Sequence, residues 1–152
     1  VVRAATDDDA DAILNLYDGL SDESRYRRFL SPIPRLSAAS RTHLSASIAT
    51  STVFVAMIGD VCVGEARVAP DGDGCAELAI TIADDYQGAG LGQYLGKLAV
   101  AEFLRANDCV HFSALVGNTP VVRMARRHDI SLRRSHGIVE GMIGAHPTRL
   151  TT

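Results

Sequence analysis

The chain has no apolar run long enough to cross a bilayer, no Cys-x-x-Cys pair, no His-x-x-x-His pair, and a single lysine, Lys97, among its 15 basic residues. Each absence removes a class of protein. Without a span of about 20 apolar residues there is no membrane helix, and Val1-Val2-Arg3 offers neither the charged nor the apolar region of a leader. The start at Val1 rather than at a methionine predicts a chain trimmed or excerpted from something longer. Cys62, Cys75 and Cys109 are an odd set, so neither a disulfide framework nor a zinc knuckle is indicated, and they read as small buried residues. The five histidines have no clustered acidic partners, and no metal site is expected. A formal net charge of −3 gives no electrostatic reason to expect nucleic acid. The expectation is a soluble cytoplasmic protein that binds neither nucleic acid nor membrane.

At 152 residues with 47% hydrophobic content, the chain is most simply one domain over 1–152, large enough to bury a core. No internal repeat or low-complexity linker divides it. Val1–Ala5 reads as a strand, and Thr6 with Asp7, Asp8 and Asp9 makes the cap and acidic first turn of a helix through Leu20. A helix over Ser21–Leu30 is stopped by Ser31-Pro32-Ile33-Pro34, and another covers Ser37–Ile48. Thr52–Ile58 and Val61–Ala69 form a hairpin about Gly59-Asp60. In Cys75–Ala83 the alternation sets Ala76, Leu78, Ile80 and Ile82 on one face and Glu77, Ala79 and Thr81 on the other.

A long helix follows Gly90, Val110–Val116 is the next strand, and Asn118 caps a helix with Pro120 in its first turn. Ser131–Ile143 reads as two strands hinged at His136-Gly137. The sum is an α/β chain, a mixed sheet with helices on its faces.

The densest signal is Glu77 to Gly92, a strand carrying one carboxylate that enters Gln87-Gly88-Ala89-Gly90-Leu91-Gly92 and then a helix. Three glycines in five positions let the backbone curl with its N–H groups inward, and the helix start adds a positive dipole end, so the loop suits a pyrophosphate. Two commoner phosphate loops fail residue by residue. The dinucleotide fingerprint needs glycine at Gln93, and a Walker A loop ending in Gly96-Lys97 needs glycine at Leu91 and Ser or Thr at Leu98.

The remaining pattern, Gln-x-x-Gly-x-Gly, resembles the acyl-CoA loop of the GNAT N-acetyltransferases, and the element order resembles their fold over nearly the whole chain. Ser24-Arg25-Tyr26-Arg27-Arg28-Phe29, Ala76-Glu77-Leu78-Ala79 and Asp84-Asp85-Tyr86-Gln87-Gly88 look like the catalytic module of bacterial Pat-type protein lysine acetyltransferases. The cyclic-nucleotide domain that some of those proteins carry is not in this sequence.

The resemblance implies an acetyl-CoA donor whose pantetheine arm lies where the strand of Glu77 splays from that of Val110–Val116. Ile80 and Ile82 would meet the arm through main-chain groups. Gln87, Gly88, Ala89, Gly90, Leu91, Gly92 and Gln93 would hold the pyrophosphate. Asn118 matches a family asparagine, and a helix cap explains it equally well. Glu77 matches the base that takes a proton from the acceptor amine, a solvated strand carboxylate being the plainer alternative. The oxyanion donor would be a backbone N–H near Ile80 to Ile82.

Many members carry a tyrosine near the end of the helix after Asn118 to protonate the leaving thiolate. Here Met124-Ala125-Arg126-Arg127-His128 stands there, which leaves that acid unassigned, with His128 as a substitute or a plain helix end. Arg25, Arg27, Arg28, Arg35 and Arg41 are expected on solvated helix faces, which in the family border the acceptor site, and Arg123, Arg126 and Arg127 on another, the alternatives for either group being the 3′-phosphate of CoA or an acidic protein surface. Tyr26 and Phe29 are expected as core anchors. The acceptor implied is a protein lysine. The rivals are a small-molecule amine and, in another class, a non-catalytic acyl-CoA sensor.

Overall fold

The computed structural model describes residues 1–72 and 74–144. The expected turn residue Asp73 and the histidine His146 lie outside the described residues. In chain order the strands are β1 (Val2–Ala4), β2 (Thr52–Ile58), β3 (Val61–Pro70), β4 (Cys75–Ile82), β5 (Cys109–Leu115), β6 (Leu132–Ser135) and β7 (Ile138–Gly144). The helices are α1 (Ala10–Asp18), α2 (Asp22–Phe29), α3 (Ala38–Ala46), α4 (Leu91–Leu104) and α5 (Thr119–Arg127).

The strands form one sheet in the order β1-β2-β3-β4-β5-β7-β6, antiparallel everywhere except between β4 and β5. Local chemistry sets the element ends. Ser21 and Ser37 accept hydrogen bonds from Ser24 and Ser40 as helix caps, Leu30 closes α2 in the left-handed region at φ 55°, and Gly59 turns the β2–β3 hairpin. The acidic start of α1 is a separate 3-10 turn over Asp7–Asp9, with Thr6 N–H donating to Asp9 Oδ2 at 2.8 Å.

Strand alternation divides the core in two. Val53, Val55 and Met57 of β2 pack with Ile13, Leu16 and Tyr17 of α1 and Leu44 of α3 on one face. Ala66, Val68, Leu78, Val110 and Phe112 pack with Leu95, Ala99 and Phe103 of α4 on the other. Two expectations need correction. Cys75 and Cys109 are joined by a disulfide between adjacent strands, with Cα atoms 4.6 Å apart. Their separation of 34 residues has no disulfide spacing, and only the β4–β5 register brings them together. Tyr26 is 41% exposed rather than a core anchor, because α2 turns Ser24 and Arg25 inward instead. Cys62 is a buried thiol, as expected, and burial pushes it up to about 11.

At the start of α1, Arg3 donates to both carboxylate oxygens of Asp9 at 2.7 and 2.8 Å. These bonds hold the Asp9 carboxyl down from 3.8 to about 2. A group lowered in the folded state contributes its full stability above its unfolded value, and loses it as pH falls through the folded one. The Arg3 side chain is 43% exposed, so solvent screens the pair and the effect is modest. Thermal melts between pH 5 and pH 2 should show wild type losing more stability than Asp9→Asn. Parallel curves would show that the pair contributes nothing.

Candidate active site

The site begins where β4 and β5 part. Their parallel pairing covers only Cys75–Glu77 against Cys109–His111, after which the strands diverge. On its other edge β4 stays paired with β3 as far as Ile82, and Ala83 N–H donates to Val63 O at 2.9 Å. Main-chain direction alternates along a strand, so Ala79 and Thr81 turn their polar groups toward β3, while Leu78, Ile80 and Ile82 turn theirs toward the gap. The Ile82 carbonyl accepts from Gln87 Nε2 at 2.9 Å, and the same nitrogen reaches Ser24 Oγ at 3.1 Å. Ile80 is thus left presenting an open strand edge inside the molecule.

The chain leaves β4 through a 3-10 turn at Asp84–Tyr86 and reaches α4 through Gln87-Gly88-Ala89-Gly90. Gly88 and Gly90 adopt φ of 84° and 87°, and a Cβ on either would meet no atom within 4 Å. The loop therefore curls around open space. Gly90 caps α4 without a side-chain hydrogen bond, so the first-turn N–H groups point outward at the positive end of the helix dipole. The third glycine works differently from the sequence expectation. Gly92, with Gly96 one turn on, lies against Ile80, where added Cβ atoms would come within 3.3 and 2.9 Å of its side chain. These two glycines let the helix start sit directly over the open strand edge. Gln93 accepts from Arg127 of α5 at 3.1 Å, and Asn118 caps α5 by accepting from Val121 N–H at 3.5 Å.

A cleft of about 570 Å³ passes through the gap, lined by Gly88, Gly90 and Asn118 on the α4 side and by Arg28, Glu77 and Ser113 on the other. Glu77 faces away from the α4 core, is exposed, and carries no ion pair with any described residue. Behind it lies a buried polar network. Tyr17 Oη donates to Glu65 Oε1 at 2.8 Å, and Arg67 Nη2 donates to Glu65 Oε2 at 2.8 Å. Arg67 also donates to Leu44 O at 2.8 Å and to Ser47, which ties the end of α3 to β3. Thr81 Oγ1 donates to Tyr17 Oη at 3.2 Å, and Arg28 Nε donates to Tyr17 Oη at 3.2 Å and to Thr81 Oγ1 at 3.0 Å. Burial pushes the Tyr17 hydroxyl up to about 12, so it stays a neutral donor across the working pH range.

The sequence profile of the Acetyltransferase (GNAT) family matches residues 14–129. The chain belongs to the GNAT acetyltransferase family. Among solved structures, it is similar to the GNAT domain of S. lividans PAT, at 26% identity and TM-score 0.81, covering 95% of this chain and 89% of that one. It shares its fold with a phosphinothricin acetyltransferase from Sinorhizobium meliloti in complex with AcCoA, at 15% identity, TM-score 0.76, and 100% and 91% coverage. It also shares it with yncA, a putative acetyltransferase from Salmonella typhimurium with its cofactor acetyl-CoA, at 17% identity, TM-score 0.72, and 97% and 94% coverage.

For a GNAT chain, the structure brings Glu77, Ile80, Ile82, Gln87, Gly88, Gly90, Leu91, Gly92, Gln93 and Asn118 to one cleft; Ala89 is exposed at the loop tip. His128, the candidate acid, is an exposed residue at the C-terminal cap of α5 and does not line the cleft, whereas Met124 does. Of the arginines expected on solvated faces, Arg25 is 9% exposed and pairs with Asp22 at 2.6 Å, and Arg28 enters the buried network. Sequence reasoning set Arg28 on a solvated face bordering the acceptor site and missed its place in the network, and it missed Thr81, Ser113 and the Tyr17–Glu65–Arg67 chain. The one available signal was a Glu-x-Arg pair inside an otherwise apolar strand, where charge is costly unless paired. Arg67→Met should leave the Glu65 carboxylate buried and half-partnered, costing about 3–5 kcal/mol in urea unfolding. A loss under about 1 kcal/mol would mean that Glu65 is neutral or reached by water.

Proposed function

We propose that the chain, acting as one domain, transfers an acetyl group directly from acetyl-CoA to an amine, and that the amine belongs to a protein lysine. The observation that carries this reading is the position of one strand. β4 holds an open main-chain edge at Ile80, an anion-suited loop at its end, and a carboxylate on its opposite face.

The residues present fit acetyl-CoA. The first-turn N–H groups of α4 and the left-handed Gly88 and Gly90 surround open space and would hold the pyrophosphate through main-chain donors from Gln87 to Gln93. The side chain of Gln87 is spent on Ile82 and Ser24, so its contribution there is the backbone. Ile80 offers its C=O and Ile82 its N–H to the amide groups of a pantetheine arm, which leaves the N–H of Ile80 free. Asn118 keeps its side-chain nitrogen for the cleft while its oxygen caps α5.

Bound acetyl-CoA supplies an activated thioester, so this chain needs no covalent nucleophile. A lysine amine has an unperturbed pKa of about 10.4 and arrives protonated, and Glu77, unpaired and on the acceptor face, accepts that proton directly or through water. The inward N–H of Ile80 is a donor for negative charge developing on a carbonyl oxygen. No acid is assigned to the thiolate, whose unperturbed pKa of about 8.5, by analogy with cysteine, lets it leave unaided. The likeness of Ser24–Phe29, Ala76–Ala79 and Asp84–Gly88 to the Pat-type module favours a lysine over a small amine.

Acetyl-CoA turnover with a panel of lysine-bearing proteins and small amines tests the reading. Glu77→Gln should lower kcat/KM by roughly 10²- to 10⁴-fold with little change in acetyl-CoA affinity. Full activity of that variant across pH would remove Glu77 as the base, and tight CoA binding without transfer to any acceptor would favour a sensor. Gly90→Glu forces a left-handed backbone on a β-carbon and sets a carboxylate against the pyrophosphate. It should weaken CoA binding at least ~10-fold in titration calorimetry, and unchanged affinity would displace the loop from its assigned role.

A further inference from the structure

The buried network ends in a group that the reaction scheme does not use. Arg28 reaches from α2 across the sheet, with its guanidinium carbon 5.5 Å from the Tyr17 ring centroid and 4.9 Å from that of Phe29. Its Nε is committed to Tyr17 and Thr81. Among the described residues its two terminal nitrogens have no hydrogen-bond partner, and Arg28 lines the same cleft as Glu77. The neighbouring arginines are already paired, Arg27 with Glu23 and Arg25 with Asp22, each at 2.6 Å. Glu65 below is taken by Tyr17 and Arg67. The fold has therefore fixed a guanidinium by two rings and one nitrogen and left its fork open, the geometry that receives a carboxylate through two parallel bonds.

We propose that Arg28 is a specificity residue of the acceptor site and selects an amine that carries a carboxylate at a distance. A fixed cation beside the acceptor repels a bare ammonium, and an acceptor bearing both groups meets Glu77 with one and Arg28 with the other. The spacing decides which acceptors qualify. The Arg28 Nε lies 3.0 Å from Thr81 Oγ1, and Glu77 lies four residues back from Thr81 on the same face of β4, about 13 Å between the Cα atoms of Glu77 and Thr81. A free α-amino acid holds its amine and carboxylate one carbon apart and cannot reach both. A lysine side chain followed by one or two residues of extended backbone, at about 3.3–3.6 Å each, can. The acceptor favoured is a lysine with an Asp or Glu close by in the peptide. This choice rests on the lysine reading above; the preference for a remote carboxylate does not.

The experiment measures kcat/KM ratios within each variant, so that changes in folding or overall activity cancel. Two pairs are compared, a lysine peptide with flanking Glu against its Gln counterpart, and 6-aminohexanoate against hexylamine. Wild type should prefer the carboxylate-bearing member of a pair by roughly 10- to 100-fold. Arg28→Gln should bring the ratio near one, and Arg28→Lys, a point charge without the fork, should fall between. Thr81→Val, which keeps the charge and frees the side chain, should reduce the preference in part. If no peptide is acetylated but 6-aminohexanoate outpaces hexylamine, the lysine reading falls and the role of Arg28 stands. Equal turnover of both pairs by wild type, or a preference that survives in Arg28→Gln, overturns the role of Arg28.

Discussion

The parting of β4 from β5 is the constraint on which the site depends. A parallel pair normally continues until its strands end, because each unpaired buried N–H or C=O costs about 1–3 kcal/mol. Here the ladder stops after Glu77 and His111, although both strands run on to Ile82 and Leu115. The cystine at Cys75–Cys109 and the paired residues beside it hold the closed end, and β5 turns its other edge to β7 along its whole length. The open end leaves Ile80 with main-chain groups that no strand satisfies. In the proposed reading, an amide-bearing ligand laid into the gap would replace the missing strand, a form of strand addition inside a domain rather than at its rim.

That opening would be useless without a fixed wall on the acceptor side, and the wall comes from a buried carboxylate. Glu65 is fully buried on β3, where an unpaired charge is prohibitive, and its two oxygens are met by Tyr17 and Arg67. Because these partners come from α1 and β3, and Tyr17 is shared with Thr81 of β4 and Arg28 of α2, satisfying one charge docks α1 and α2 on the sheet. A hydrophobic contact in place of the network would hold α1 as well, but it would not dictate the rotation of α2. Rotation of α2 is what sets Arg28 in the cleft and leaves Tyr26 in solvent.

How much of this was legible in the sequence follows from the range of the interactions. The strands, the helices and the cap at Asn118 depend on neighbours within a turn or two, and period and capping chemistry exposed them. The loop was legible for the same reason, since Gly88 and Gly90 carry left-handed angles that glycine alone adopts cheaply. Gly92 was misread as part of the curl because its reason, the approach of Ile80, lies across a chain reversal. The network of Tyr17, Arg28, Glu65 and Thr81 joins residues up to 64 positions apart, so no local pattern contains it. The Cys75–Cys109 pair is invisible on the same ground.

This division by range also explains why the donor reads more sharply than the acceptor. The proposed donor side is made of backbone, from the open edge of Ile80, the N–H groups at the start of α4 and two glycine angles, and backbone chemistry varies little with side-chain identity. The proposed acceptor side is made of side chains from three separate segments that line the cleft, Arg28 on α2, Glu77 on β4 and Ser113 on β5. Any of these can be exchanged without disturbing the cradle, provided the charge on Glu65 stays satisfied. Arg28 is the exception in the proposed scheme, because its Nε serves the network while its fork is open to the cleft, so acceptor choice would be coupled to the stability of the fold that presents it.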